Sequence, residues 1–294
     1  MEISWDHCGQ AGWEHLTNRA RAPMQQRWTY GAVHQALGGT VLRALVTQNG
    51  DPVALCQCLT RRFAGVLHIS LASNGPVWLA NCNKAAVLKL IRHSLPLRHP
   101  RLQLFTLPDP MNSARLIPLM TPATRAILPL PVSPNTLHGK WRNALHKAQN
   151  SGLNSHHIAC PPKLLLDILQ SDHRQQIAKS YRALPAEFCL AWHKIAPDDL
   201  RLVTVSKGAE PLATALFIRH GNTASYHIAH TTDAGRKLSA QRIALWRAFS
   251  DLAEQGVKQI DLGQIDTINA PGLARFKLGT GANALRCGPT VLAL

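Results

Sequence analysis

The spacing of apolar and polar positions alternates between helical and strand-like stretches in the first half of the chain. Helical spacing is found at 13–20, 25–37 and 84–94. Strand-like runs are found at 41–47, 53–60, 65–71 and 102–107. Asn49-Gly50 separates the first two of these runs and predicts a β-hairpin, because this dipeptide suits a tight turn. The first half is therefore predicted to be a mixed α/β lobe.

The second half repeats this order of helices, antiparallel strands, a helix and a strand. Helices are predicted at 136–151, 161–171, 185–195 and 239–255. Strands are predicted at 202–205, 212–219, 224–230 and 258–262. Seven prolines between Pro108 and Pro134 exclude a long helix there and predict an ordered, extended crossover. We expect two lobes, over 1–134 and 135–282.

Composition adds a strong basic surplus to this picture. Hydrophobic residues make up 46% of the chain, and 32 Lys and Arg against 16 Asp and Glu give a net charge of +16. The chain can therefore bury a core, and its charge indicates attraction to an anionic partner such as nucleic acid, a phosphorylated substrate or a membrane surface.

Seven widely scattered cysteines argue against a disulfide framework and predict a cytoplasmic protein. Cys56 and Cys58 read as two apolar positions on one face of a strand. We expect no metal site, because the histidines lack ligand spacing. The chain begins without the pattern of a signal peptide, and no apolar run is long enough to span a membrane.

Two segments of the second half carry a more specific pattern. The first is LHGKWRNALHKAQNSGL at 137–153, and the second is IDLGQ at 260–264 followed by PGLARFKLGTG at 271–281. Together they resemble the Fem-type peptidyltransferase family (FemABX), a branch of the GNAT superfamily. Weaker echoes are Gln26-Arg27-Trp28 with Gly31, and the turn at 74–78. The resemblance implies two tandem GNAT-like lobes with mainly antiparallel mixed sheets, the first completed by the tail 283–294.

The resemblance also implies N-acyl transfer onto an amine, which belongs to a cell-envelope precursor or a small molecule. The donor is an aminoacyl-tRNA or an acyl thioester such as acyl-CoA, used as a co-substrate without a permanently bound cofactor. The GNAT phosphate motif is degraded at 236–241, where Ser239 replaces its central glycine, and the long helical hairpin of some Fem proteins is absent. The donor therefore stays open between these two classes.

The expected catalytic residues are Lys277, for stabilising the oxyanion, and Asp261, for orienting the amine or accepting its proton. Phe276 is expected to face the acyl or adenine group, or to hold a cation against its ring. The other expected substrate-binding residues are Lys140, Arg142, Arg236, Lys237, Gln264, Arg275 and Trp28.

Each of these residues also has a purely structural interpretation. Lys277 can be a solvated lysine, Asp261 a turn cap and Phe276 a core residue. The basic residues can form ordinary solvated helix faces, and 234–240 can be an ordinary capped helix start. The alternative function is a non-catalytic tRNA- or nucleic-acid-binding protein on a degenerate GNAT scaffold. A third possibility is an accessory protein of cell-envelope assembly, held to the inner leaflet by its basic surface.

Overall fold

The computed structural model describes residues 1–97, 101–111, 116–178, 181 and 183–294, which divide into two compact units. Unit 1 comprises Met1–Ala123 and Arg286–Leu294, and unit 2 comprises Thr124–Leu285. Each unit is built on a sheet of its own.

The elements follow one another in a regular alternation of helices and short groups of strands. The chain begins with β1 (Glu2–Trp5), α1 (Gln10–Arg19), α2 (Trp28–Ala36), β2 (Thr40–Gln48), β3 (Asp51–Phe63), β4 (Leu67–Ala72), β5 (Val77–Trp78), α3 (Lys84–Ser94), β6 (Arg101–Thr106) and β7 (Leu116–Met120). It continues with β8 (Thr124–Pro129), α4 (Gly139–Gln149), β9 (Asn154–Ala159), α5 (Pro162–Ala178), α6 (Ala186–Ile195), β10 (Leu200–Lys207), β11 (Glu210–His220), β12 (Thr223–Thr231), α7 (Asp233–Lys237), α8 (Ala240–Glu254), β13 (Gln259–Gln264), α9 (Pro271–Leu278), β14 (Asn283–Arg286) and β15 (Thr290–Ala293).

The sheet of unit 1 has the order β1-β2-β3-β4-β6-β15-β7, with β5 beside β3. β4 and β6 run parallel and are joined through α3, whereas β2, β3 and β4 form an antiparallel meander. Val87 and Ile91 of α3 pack on one face of this sheet with Cys56 and Cys58, whose buried side chains share that face as predicted. Trp13 of α1 covers the opposite face.

The sheet of unit 2 has the order β14-β8-β13-β12-β11-β10-β9. β12 and β13 run parallel and are joined through α8, and β9 to β12 pair antiparallel in sequence. The apolar sides of α4 and α8 form the core on one face, with Trp141, Leu145 and Phe249 against Phe217. The predicted fold class, α/β with two mainly antiparallel mixed sheets, is confirmed.

Several predicted boundaries differ from the structure for identifiable reasons. The predicted helix at 25–37 is broken at Arg27, whose extended backbone lets its carbonyl accept from the Gln57 side chain. The predicted helix at 136–151 begins only at Gly139, because a 3₁₀ turn occupies Pro134–Thr136. The proline-rich segment supplies two strands, β7 and β8, and its residues 112–115 lie outside the described ranges.

Candidate functional site

The candidate site of unit 2 lies where two parallel strands stop pairing. β12 and β13 are paired only from Thr223–Ser225 to Gln259–Asp261, although both strands continue further. β12 also carries a β-bulge at His227, because Leu216 pairs with Ile228 while Phe217 pairs with Tyr226. A bulge bends a strand and ends regular pairing. The C-terminal ends of the two strands thus leave a gap in the ladder.

Lys277 lies beside this gap and is buried, not solvated. It sits on α9, which begins with a proline at a position that suits the first turn of a helix. Its side chain is only 8% exposed, and Nζ donates to the carbonyl oxygen of Gln264 at 2.8 Å. Burial lowers the pKa of Lys277 to about 8, although the carboxylate of Asp261 opposes this shift. The ammonium form therefore still predominates at neutral pH.

Asp261 is held by a partner that the sequence analysis did not identify. Its Oδ2 accepts from Nε of Arg125 at 2.8 Å within an ion pair, and Arg125 comes from β8 in the proline-rich segment. Its Oδ1 accepts from the backbone N–H of Gly263 at 2.7 Å. Asp261 thus orients the end of β13 and contributes negative charge near Lys277. The geometry does not favour it as a free proton acceptor.

Gly263 permits the close approach of Lys277. Its φ of +83° lies in the left-handed region, and a Cβ there would stand 3.3 Å from Nζ of Lys277. Gln264, the next residue, offers its backbone carbonyl to Lys277, while the residue itself is exposed.

Phe276 already faces a cation. Its ring lies 6.2 Å from that of Trp141, and the guanidinium of Arg242 lies 5.5 Å from the Phe276 centroid and 5.7 Å from that of Trp141. Nε1 of Trp141 and Nε of Arg242 are buried without a hydrogen-bond acceptor among the described residues. Two buried donors thus lie near the start of α8. Phe276 combines core packing with a cation–π contact.

The basic residues expected to bind substrate are exposed on three different elements. Lys140 and Arg142 lie on the solvent side of α4, opposite the buried Trp141 and Leu145. Arg275 is exposed on α9. Arg236 and Lys237 are exposed on α7, where Arg236 forms an ion pair with Asp233 at 2.8 Å. The structure thus places none of these five in the buried cluster around Lys277.

The degraded phosphate motif folds as the short helix α7 and a left-handed residue. Thr232 caps α7 by accepting from the N–H of Gly235. Ser239 occupies the N-cap position of α8 with φ +57°, but its hydroxyl accepts from Arg242 instead of capping the helix. The Ser239 side chain therefore makes no capping hydrogen bond at the start of α8.

Trp28 belongs to unit 1, where it takes part in a buried polar network. The guanidinium of Arg43 lies 3.7 Å from its ring centroid, and Nε of Arg43 donates to the side chain of Gln57. Trp28 is half-buried, and its backbone N–H donates to Glu14. These contacts give Trp28 a structural role in the fold of unit 1.

The residues that the structure describes bear on two further kinds of site, a metal centre and a membrane span. Within that part of the chain, no three His, Cys, Asp or Glu side chains converge as metal ligands. No helix there has the length and apolar character that a bilayer crossing needs.

The chain is similar to known proteins both in a sequence family and in its fold. Residues 143–283 match the family described as "Acetyltransferase (GNAT) domain". The solved structure of FemX aligns with a TM-score of 0.76 at 12% identity, covering 100% of this chain and 98% of that one. A tandem GNAT protein from the clavulanic acid biosynthesis pathway aligns with a TM-score of 0.56 at 10% identity. The alignment covers 99% of this chain and 98% of that one.

The structure of L-PGS from Bacillus licheniformis aligns with a TM-score of 0.53 at 14% identity, covering 97% of this chain and 92% of that one. No curated protein matches the sequence. At these identities the structural likeness concerns the fold, and the family match supplies the activity class. Residues 143–283 thus match an acetyltransferase (GNAT) domain, which gives the chain its class as an acyltransferase, and the whole chain shares the tandem GNAT fold with FemX.

Proposed function

We propose that the chain transfers an acyl or aminoacyl group from an anionic donor to an amine, with Lys277 stabilising the oxyanion. The observation that carries this proposal is the buried ammonium of Lys277 beside the gap between β12 and β13. When an amine attacks an ester or thioester carbonyl, negative charge develops on the carbonyl oxygen. A cation fixed in a poorly hydrated site stabilises that charge more strongly than a solvated cation does.

Asp261 and Arg125 have a supporting role in this proposal. Their ion pair fixes the end of β13, and the Asp261 charge helps Lys277 to stay protonated despite its burial. Asp261 is therefore proposed as a positioning residue. Proton loss from the attacking amine is left to solvent or to a substrate group.

The donor is proposed to bind through phosphate groups near the start of α8. Support comes from the half-buried Arg242 in the first turn of α8 and from the exposed Lys237 on the preceding helix. Acyl-CoA and aminoacyl-tRNA both carry such phosphates. The exposed basic side of α4 and the net charge of +16 favour aminoacyl-tRNA, since a polynucleotide contacts a larger basic surface.

The proposal is tested by assaying the purified chain with acetyl-CoA and with bulk aminoacyl-tRNA against a panel of primary amines. Products are identified by mass spectrometry. Lys277→Ala is expected to lower the transfer rate by about 10²–10³-fold, as is typical for losing one oxyanion donor. Lys277→Arg keeps the charge in another geometry and is expected to retain part of the rate.

Lys207→Ala is the matched control, because Lys207 is an exposed lysine at the β10–β11 turn of the same unit. It is expected to leave both rate and melting temperature unchanged. A Lys277→Ala protein that melts normally and turns over at the wild-type rate would remove Lys277 from the mechanism.

A further inference from the structure

A second polar residue, His227, lies on β12 beyond the point where the ladder between β12 and β13 ends. His227 is the extra residue of the β-bulge, two positions beyond Ser225, where the parallel ladder to β13 ends. Gly263, which approaches Lys277, lies two positions beyond Asp261 on the other strand. The bulge and the lysine site therefore occupy the same end of the two strands.

One ring nitrogen of His227 contacts the sulfur of Cys189 on α6. Nε2 lies 3.0 Å from Sγ of Cys189 on α6. Cys189 is completely buried, whereas His227 is half-buried. No other described group bonds to the ring. Because the two ring nitrogens point in diverging directions on either side of Cε1, Nδ1 points away from the Cys189 sulfur.

Both partners stay neutral in this environment. Burial raises the pKa of Cys189 to about 12, and the nearby charge of Asp172 adds to that shift. Burial lowers the pKa of His227 to about 4, although Asp172 opposes this change. Asp172 itself accepts from Gln176 at 2.6 Å and from Tyr181 at 3.1 Å. A thiol sulfur is a weak acceptor, whereas the unprotonated nitrogen of a neutral imidazole is a good one, so the arrangement in which Cys189 donates to Nε2 is favoured and the ring proton resides on Nδ1.

We infer that His227, fixed as its Nδ1–H tautomer by the Cys189 thiol, donates a hydrogen bond to the acyl carbonyl oxygen of the donor. This inference rests on the proposed function and adds a second, neutral donor to the charge of Lys277. Neutral imidazole is an effective electrophile of this kind when its surroundings prevent protonation. Cys189 is a positioning residue, because it acts only through the tautomer of His227. No proton is transferred in this role.

The tautomer can be measured without any substrate. The full chain is labelled with ¹⁵N-histidine, and two-bond ¹H–¹⁵N correlation spectra are recorded between pH 4 and 8. His227→Gln identifies the signal by its disappearance. The wild type is expected to show the Nδ1–H pattern and no protonation above about pH 5. Cys189→Ser retains a donor and is expected to preserve this pattern, whereas Cys189→Ala is expected to yield mixed tautomers. An Nε2–H pattern in the wild type would overturn the inference.

Two substitutions at 227 then separate a catalytic role from a structural one. His227→Asn can place an N–H near the position of Nδ1, whereas His227→Gln places one near Nε2. We expect kcat to fall by less than about 10-fold in the Asn variant and by about 10²–10³-fold in the Gln variant, with an unchanged KM for the amine. Equal losses in both variants would contradict the role of Nδ1.

The two proposals fail in distinguishable ways. An absence of acyl transfer with every donor would remove the proposed function and with it the catalytic role of His227. Transfer that depends on Lys277 but not on either His227 variant would overturn the His227 inference alone.

Discussion

Lys277 is a buried cation whose charge depends on pH near the physiological range. With a pKa of about 8, it is protonated below that pH and loses its charge as the pH rises through it. If the ammonium stabilises the oxyanion, the transfer rate must decline along a limb centred near pH 8. Lys277→Arg should abolish this limb, because a guanidinium stays charged throughout. The measurement is kcat against pH from 6 to 10 for both proteins. A limb that is identical in the two proteins would contradict the assignment.

Asp261 is expected to affect both the stability of the fold, through its contacts at the end of β13, and the pKa of Lys277. Asp261→Asn keeps an oxygen for the Gly263 N–H but removes the charge that Arg125 pairs with. We expect a loss of about 2 kcal/mol in the free energy of unfolding, a typical value for a hydrogen bond to a charged group. The descending pH limb should move to lower pH, because the Asp261 charge raises the pKa of Lys277. Urea titrations and the pH profile check the two effects separately.

Asp233→Asn is the control for this substitution. Asp233 forms a solvent-exposed ion pair with Arg236, so its loss should change stability by less than about 0.5 kcal/mol. An Asp261→Asn protein as stable as this control would show that the ion pair with Arg125 contributes nothing to the fold.

The sequence identified some of these residues and missed others for a physical reason. Lys277 and Asp261 lie in local motifs, so a resemblance over a few residues was enough to select them. Arg125 precedes Asp261 by 136 positions, and Cys189 precedes His227 by 38. Such pairs form only when distant strands and helices pack, and spacing along the chain carries no signal of them. The sequence did not predict the burial of Lys277 either, because that burial depends on the position of α9 beside β13.

At the scale of elements, α7 is fixed to β11 by a close backbone approach. A Cβ on Gly235 would stand 2.3 Å from the carbonyl oxygen of Leu212, which also accepts from the N–H of Thr232 at 3.0 Å. Gly235→Ala must therefore displace α7, and we expect a loss of about 1–3 kcal/mol in unfolding free energy. If the start of α8 binds the donor, KM for the donor should also rise.

Gly139→Ala provides the matched control. Gly139 is the first residue of α4, and a Cβ there meets no atom within 4 Å. Alanine favours the helix by up to about 1 kcal/mol, so this variant should be neutral or slightly more stable. Urea unfolding of both variants decides the prediction. Equal stabilities would show that α7 yields to the extra methyl group without cost.

Element boundaries followed from the sequence wherever local patterning determined them. The helix at 84–94 is found as predicted, since Asn83 caps it and its apolar side is continuous. β1 and the helix α7 were missed, because each is short and depends on neighbouring elements. Arg27 interrupts a stretch with continuous helical spacing, because the buried hydrogen bond that the Gln57 side chain donates to its carbonyl overrides local propensity.

At the scale of the whole molecule, the net charge of +16 predicts strongly salt-dependent binding to a polyanion. Each phosphate contact releases counterions, so log Kobs for bulk tRNA should fall linearly with log salt concentration. If the exposed side of α4 forms part of that contact, combined alanine substitution of Lys140, Arg142 and Lys147 should reduce the slope by roughly 2–3. The slopes are measured by titrating labelled tRNA at several salt concentrations.

The control removes three exposed lysines elsewhere in unit 2, namely Lys163, Lys207 and Lys258. It subtracts the same charge from the molecule, so any difference between the two triple variants comes from where the charges lie. If a localised surface on α4 binds the donor, only the α4 variant loses slope, and transfer from aminoacyl-tRNA weakens with it. If both variants lose slope equally, the charge acts diffusely and aminoacyl-tRNA is no longer favoured over acyl-CoA. Unchanged transfer from acetyl-CoA in the α4 variant would then assign the donor to the thioester class.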